Sequence, residues 1–224
     1  MSKPWVARVL PFFIYMSFVM VQTILEPLIK GGAYSVLFTP ALYALKIICV
    51  TISLILLWKH YDELSLVKPS FINVVKAALT GTIVFILWIN MDWSFATMGS
   101  PDAYNPNLLP LGLMYTFTAI RIAGAAIIVP IFEELFWRSF ILRYIINNDF
   151  LSVRIGTFTL SSFVVSSILF GFEHHFWLAG IAAGVLYNLL LYSTKNLCYP
   201  VFAHGLTNLM LGIYVVKTGE WIFW

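Results

Sequence analysis

Ionisable side chains occur within an apolar stretch of the sequence, where burial in a membrane or a core penalises their charge. The segment 129–138 contains Glu133, Glu134 and Arg138 among apolar and aromatic residues. Glu134 and Arg138 are four residues apart, so a helix places them on one face as an ion pair. Glu133 is rotated by about 100° from Glu134, and four residues after it stands Trp137 instead of a cation. Glu133 is therefore left as a candidate functional carboxylate.

Two further polar clusters follow in apolar surroundings. His174 lies four residues after Phe170, near the end of one apolar stretch. His204 and Asn208 are also four residues apart, and a helix carries both on one face. Carboxylate, imidazole and amide groups can transfer protons, stabilise a developing negative charge or ligate a metal ion. The sequence thus indicates a candidate site built from residues of three apolar segments.

Each of these residues also has a purely structural interpretation. The two histidines and the asparagine could form hydrogen bonds between helices, and we expect the Glu134–Arg138 pair to be structural. Glu173 and His175 are neighbours of the candidate histidine, and we expect them at the rim of the site near the membrane interface. Arg121 is expected to extend its guanidinium to the interface from the start of an apolar segment.

The composition defines the surroundings of these residues. Of the 224 residues, 61% are apolar and 10% charged, against about 45–50% and about 25% in a typical soluble domain. The mean hydropathy is +0.90. A soluble globule of this size could not bury so much apolar surface, and the same figures exclude disordered and disulfide-rich classes. The net charge of only +3 argues against a nucleic-acid partner. The chain is expected to be an integral membrane protein.

We expect an all-α, polytopic membrane protein, because a helix crosses the hydrocarbon core with about 20 apolar residues. Seven stretches approach this length: 5–28, 36–58, 71–91, 120–146, 155–173, 177–193 and 199–217. The stretch 108–119 is an interfacial helix or the beginning of the fourth span, so the expected total is about seven, within a range of six to eight. No internal repeat or long linker divides the chain. This favours a single membrane domain over residues 1–224, with the site inside the helical bundle.

Three motifs occur in order on these segments: Glu133-Glu134-x-x-x-Arg138, Phe170-x-x-x-His174 and His204-x-x-x-Asn208. Together they resemble the signature of the CAAX prenyl protease and bacteriocin-processing (CPBP, or Abi) family of intramembrane endopeptidases. The resemblance covers about residues 115–217. The sequence around the motifs, such as EELFWRSFILRYII and FGFEHHFWLAG, is similar to a bacterial, CAAX prenyl protease-related branch. Members of that branch occur alone or fused to exosortase-type sorting enzymes.

The resemblance implies a role for each motif residue. Glu133 and His174 would activate a water, His204 and Asn208 would stabilise the oxyanion, and the Glu134–Arg138 pair would support the helix. The implied activity is that of a glutamic-type endopeptidase that uses no cofactor and no metal. It would hydrolyse a peptide bond near the C-terminus of a membrane-associated substrate.

The same resemblance implies the setting of the reaction. The protein is expected to be a multi-pass component of the bacterial cytoplasmic membrane, in contact with membrane lipids. Its partner would be a protein or peptide substrate with a C-terminal membrane-anchored segment, such as a sorting signal. No nucleic-acid partner is expected.

Two alternatives are left open by the sequence. Glu133, His174 and His204 could ligate a catalytic zinc ion with a water as fourth ligand, although the sequence contains no H-E-x-x-H motif. The chain could also be a non-catalytic membrane immunity or transport protein, since intramembrane charges are common in transporters. Against this second alternative, no inverted repeat is visible and the charges within apolar segments concentrate in the second half of the chain.

Overall fold

The computed structural model describes residues 4–29, 35–65, 69–99 and 104–224. Apart from short 3₁₀ turns and loops, these residues form seven helices and no strands, which confirms the expected all-α class. The helices are α1 (Pro4–Ile29), α2 (Ser35–Leu57), α3 (Phe71–Trp88), α4 (Leu111–Ile146), α5 (Leu160–Phe172), α6 (Trp177–Thr194) and α7 (Cys198–Thr218).

Six helices in the described ranges, all except α5, are long and apolar enough to cross a membrane. Their outer faces keep large apolar side chains exposed, as at Ile48, Ile52, Ile55 and Leu56 of α2. An apolar surface of this extent marks contact with lipid. The chain is therefore an integral, multi-pass membrane protein, as its composition predicted.

The fifth predicted span is shorter than expected. The sequence predicted a helix over 155–173, but α5 has only 13 residues, or about 20 Å against about 30 Å of hydrocarbon. Gly156 adopts a φ of +75°, a conformation that favours glycine and interrupts a helix. The Thr159 side chain then caps α5 by accepting a hydrogen bond from the Ser162 backbone N–H at 3.2 Å. Residues 155–159 therefore form a turn and a cap instead of helix.

The fourth span is longer than expected. α4 contains 36 residues and incorporates most of the stretch 108–119. Two π-helical segments, Gly124–Ile128 and Leu135–Ile141, interrupt its α-helical geometry. Glu133 and Glu134 lie in the α-helical turn between them. Such π segments occur frequently at functional sites.

α5 and α6 pack with closely spaced backbones. A Cβ atom placed on Gly180 would lie 2.9 Å from the Gly171 Cα atom, and one on Gly184 would lie 3.0 Å from the Ser167 Cα atom. Each helix thus contributes two small residues four positions apart, the pattern that lets membrane helices approach closely. Because His174 follows α5 directly, this packing fixes the histidine relative to α6.

α7 also approaches its neighbours at glycines. A Cβ atom on Gly205 would lie 2.6 Å from the Ala126 carbonyl oxygen of α4. A Cβ atom on Gly81 of α3 would lie 2.5 Å from the Ala203 carbonyl oxygen. His204 stands between Ala203 and Gly205, so the part of α7 that carries it is closely packed on two sides.

A buried ionic cluster joins the beginning of α1 to the end of α4. Arg8 forms a 2.7 Å ion pair with Glu63, and Arg143 lies 3.6 Å from the same carboxylate. The Ser139 hydroxyl also donates to Glu63. Burial alone would raise the pKa of the Glu63 carboxyl, but the hydrogen bonds from Arg8 and Ser139 outweigh it and hold the pKa below its ordinary value. The cluster ties the loop after α2 to both helices.

Candidate active site

One cavity inside the bundle is lined by all four residues that the sequence predicted as catalytic: Glu133, His174, His204 and Asn208. Glu133 comes from α4, His174 from the turn after α5, and the other two from α7. Side chains of α1, α2, α3, α5 and α6 and of the C-terminal residues 222–224 complete the wall. The fold therefore brings the three motifs to a single place.

Glu134 is fully buried behind this cavity and binds two partners. Its Oε1 atom lies 3.1 Å from the Arg138 Nη1 atom, so the predicted ion pair is present. The same oxygen lies 3.0 Å from His204 Nδ1, a contact that the sequence did not predict. Glu134 thus connects the first motif on α4 to the third motif on α7.

Glu133 lines the cavity with a buried side chain. Its Oε2 atom has no hydrogen-bond partner among the described residues. His204 Nε2 lies 3.9 Å from this oxygen, beyond hydrogen-bonding distance. Buried polar atoms without a partner are rare in proteins. Because Glu133 also lines the cavity, its carboxylate can contact a small polar ligand such as water there.

His174 is oriented by the backbone of α5. Its Nδ1 atom lies 2.7 Å from the Phe170 carbonyl oxygen. Because a carbonyl only accepts, we assign the hydrogen to Nδ1, which leaves the lone pair of the neutral ring on Nε2. The ring packs 4.9 Å from Phe170 and 5.2 Å from Trp88. The four-residue spacing of the second motif therefore places His174 where it forms both a hydrogen bond and a ring contact with Phe170.

His204 has the same tautomer for a different reason. Its Nδ1 faces the Glu134 oxygen that also accepts from Arg138, so Nδ1 is the donor. Its Nε2 is the atom nearer Glu133. It accepts a proton when the ring is neutral and donates one when the ring is protonated. Tyr187 of α6 stacks on the ring with centroids 5.2 Å apart.

Asn208 bridges α7 and α4. Its Nδ2 atom donates to the Ala125 carbonyl oxygen at 2.9 Å, within the first π segment of α4. An amide nitrogen carries two hydrogens, so this bond leaves one free to donate. At the preceding residue, the Tyr187 hydroxyl donates to Thr207 at 2.8 Å, and Thr207 donates to the Gly81 carbonyl oxygen at 2.9 Å. These bonds fix the register of α7.

Arg138 connects the first motif to α5 and α6. Its Nε atom donates to Asn188 Oδ1 at 3.2 Å, and its guanidinium lies 4.2 Å from the centre of the Phe170 ring. Asn188 in turn donates to the hydroxyls of Ser166 and Ser167, each at 3.0 Å. Phe170 lines the cavity, but none of the hydrogen-bonding side chains of this network does, so we interpret the network as structural.

Glu173 and His175, both expected at the rim of the site, line the cavity together with His174. Trp137 Nε1 donates to the Glu173 Oε2 atom at 2.6 Å. The only sequence signal for this contact was the indole one turn after Glu133. Next to it, His175 Nδ1 and the Met98 carbonyl oxygen are 2.7 Å apart, and the Met98 backbone N–H donates to the His175 carbonyl oxygen at 2.8 Å.

Arg121 was expected at the start of its span. It lies ten residues after Leu111, the first residue of α4, and lines the same cavity. The sequence could not distinguish these positions, because the preceding stretch was also consistent with a separate interfacial helix.

No three His, Cys, Asp or Glu side chains are arranged to hold a metal ion within the described ranges. Glu133, His174 and His204 line one cavity, but they do not form the compact cluster that a zinc ion needs. The zinc alternative therefore has no ligand cluster among these residues to support it.

A helical membrane protein with carboxylate, imidazole and amide groups converging on an internal cavity has the components of an intramembrane hydrolase. The profile of the Rce1-like family, described as type II CAAX prenyl endopeptidase Rce1-like, matches residues 115–210. This segment includes all three motifs and is similar to that family of membrane proteases, so the resemblance to CAAX proteases found in the sequence is confirmed. No curated protein and no solved structure matched the chain.

Proposed function

We propose that the protein is a glutamic-type intramembrane endopeptidase that hydrolyses a peptide bond near the C-terminus of a membrane-associated substrate. The observation that carries this proposal is the convergence of Glu133, His174, His204 and Asn208 on one cavity inside the bundle. The family match supports the endopeptidase class.

In this proposal, Glu133 and His174 activate the attacking water. Glu133 Oε2 is buried and has no partner in the described part of the chain, so it can accept a proton. His174 Nε2 carries a lone pair because Nδ1 is bound to the Phe170 carbonyl, and it can orient the same water. Loss of a proton makes the water nucleophilic enough to attack the scissile carbonyl carbon.

His204 and Asn208 stabilise the negative charge that develops on the scissile carbonyl oxygen. Asn208 retains one amide hydrogen beyond its bond to Ala125, and His204 donates from Nε2 when its ring is protonated. Glu134, 3.0 Å from Nδ1, compensates the charge of that ring. Donors fixed in advance toward an oxyanion are a major source of rate acceleration. As the intermediate collapses, the proton taken from water passes to the leaving amine.

The same proposal includes the location of the protein and the class of its substrate. The protein acts as a single domain in the bacterial cytoplasmic membrane, surrounded by lipids. Its substrate is a protein or peptide with a C-terminal membrane-anchored segment, such as a sorting signal. A comparison of protein C-termini in cells with and without this protein would identify such substrates, because each cleavage creates a new C-terminus.

The central test compares the wild type with Glu133→Gln in proteoliposomes containing a candidate membrane substrate. Asp149→Asn, in an exposed loop, is the matched carboxylate-to-amide control. We expect Glu133→Gln to abolish cleavage at unchanged folded yield, while the control retains wild-type turnover. Full activity of Glu133→Gln would overturn the proposal.

Metal dependence is tested in the same assay. We expect cleavage to survive exhaustive chelation. Loss of cleavage on chelation, restored by zinc, would favour the zinc alternative. Absence of any cleaved product in cells or vesicles would favour a non-catalytic membrane protein.

A further inference from the structure

Arg121 is the one arginine or lysine among the described residues that line the cavity. No aspartate or glutamate in the described ranges forms an ion pair with it. An arginine within a membrane-spanning helix is costly and generally marks a functional contact. The proposed mechanism does not use it.

The position of Arg121 is fixed by α2. Its guanidinium lies 4.3 Å from the centre of the Tyr43 ring, and the Tyr43 hydroxyl donates to the Arg121 carbonyl oxygen at 3.3 Å. Tyr43 is itself buried and lines the cavity. A guanidinium stacked on an aromatic face keeps the N–H donors at its edge available for a planar anion. The geometry thus provides a preorganised cation for a carboxylate.

The distance between Arg121 and Glu133 limits how far such a carboxylate can lie from the cleaved bond. They are twelve residues apart on one helix, which corresponds to about 18 Å along its axis. An extended peptide of about five residues covers the same length. A substrate peptide in the cavity can therefore reach from the water-activating carboxylate to the guanidinium.

We propose that Arg121 binds the free C-terminal carboxylate of the substrate and sets the distance between that terminus and the cleaved bond. Cleavage then falls within about five residues of the C-terminus. This inference rests on the proposed endopeptidase function and names the group that the enzyme recognises. Guanidinium and carboxylate pair through two parallel hydrogen bonds, which gives position as well as affinity.

The test uses the full-length protein in phosphatidylcholine vesicles and a membrane peptide with a free C-terminal acid or a C-terminal amide. Wild type is compared with Arg121→Gln, Arg121→Lys and Arg154→Gln, the last being an exposed loop arginine. We expect amidation to lower the kcat/KM of wild type at least tenfold, mainly through KM. Arg121→Gln should lose the same factor on the acid and little on the amide, Arg121→Lys should retain part of the preference, and Arg154→Gln should match wild type.

A second measurement follows the cleavage position by mass spectrometry. Adding residues at the C-terminus should move the cleaved bond toward the C-terminus by the same number of residues, whereas residues added upstream should leave its distance from the terminus unchanged. Equal cleavage of acid and amide by wild type would overturn the assignment, as would an equal loss on both by Arg121→Gln. An Arg121→Gln defect that depends on anionic lipid content but not on amidation would indicate a lipid phosphate and would also overturn it.

The two proposals fail in distinguishable ways. If Glu133→Gln is inactive and wild type cleaves acid and amide equally, only the role of Arg121 is wrong. If Glu133→Gln cleaves as well as wild type, the proposed catalytic function itself is wrong.

Discussion

Glu133 and Glu134 are adjacent in the chain but have different partners. Glu134 accepts from Arg138 and His204 and is shielded from the cavity. Each carboxylate has an Oε2 atom without a hydrogen-bond partner among the residues described, but only Glu133 lines the cavity. A helix rotates neighbouring residues by about 100°, which is enough to separate a structural carboxylate from one free to exchange protons.

We therefore predict opposite effects for the two glutamine substitutions. Glu134→Gln should lower stability by about 3–5 kcal/mol, because it leaves a buried arginine without its carboxylate. Glu133→Gln should leave thermal stability unchanged or higher while it removes activity. Thermal unfolding in detergent and single-turnover cleavage measure the two effects. A stable, inactive Glu134→Gln beside an active Glu133→Gln would reverse the assignment.

The pair on α7 provides a second prediction. His204→Ala or Asn208→Ala should each lower the rate by about 10²–10³, the usual cost of one oxyanion donor. Since both would serve one oxygen, the double variant should lose less than the product of the single factors. Single-turnover rates and metal content are measured together. Release of bound metal by His204→Ala alone would instead show that this histidine is a ligand.

Among the helices, the α5–α6 contact determines where His174 lies. A Cβ atom at Gly180 would lie 2.9 Å from the Gly171 Cα atom and 3.3 Å from His174 Nδ1. One added methyl group would therefore crowd both the α5 backbone and the His174 ring. We predict that Gly180→Ala lowers turnover and thermal stability. Gly112→Ala is the matched control, because its Cβ atom meets nothing within 4 Å and should be neutral or stabilising by about 0.5–1 kcal/mol. Equal behaviour of both variants would contradict this account.

Hydropathy predicted most helices because a membrane span needs a long apolar run whatever it packs against. It could not predict the end of the fifth span, since the positive φ of Gly156 is a local backbone event. Nor could it predict the π segments Gly124–Ile128 and Leu135–Ile141, which have no hydropathy signal. More of the candidate site than of its surroundings could be predicted, because charged residues are conspicuous in an apolar sequence. The hydrogen bond from Trp137 to Glu173 could not be predicted, because it depends on tertiary packing.

Across the whole molecule, the cluster around Glu63 connects three distant parts of the chain. The folded state lowers the pKa of the Glu63 carboxyl. Its contribution to the stability of the fold is therefore present above the unfolded pKa of about 4.3 and is lost as pH falls through the folded pKa. We predict that acidification below about pH 4 lowers the melting temperature of wild type more than that of Glu63→Gln. At neutral pH, Glu63→Gln should already be less stable, because Arg8 and Arg143 lose their carboxylate. Melting curves of both proteins between pH 7 and pH 3 would reveal parallel shifts if this account is wrong.

The short α5 also affects how the protein fits its bilayer. Large apolar side chains such as Leu160, Val164 and Ile168 are exposed on this helix, yet its length of about 20 Å falls short of the hydrocarbon thickness. Either the bilayer thins locally or the polar turn that carries His174 sits below the headgroups. Lipid chain length then sets how deeply the turn is submerged and how readily water reaches it. Acyl-chain length thereby becomes a physical control on the hydration of the cavity.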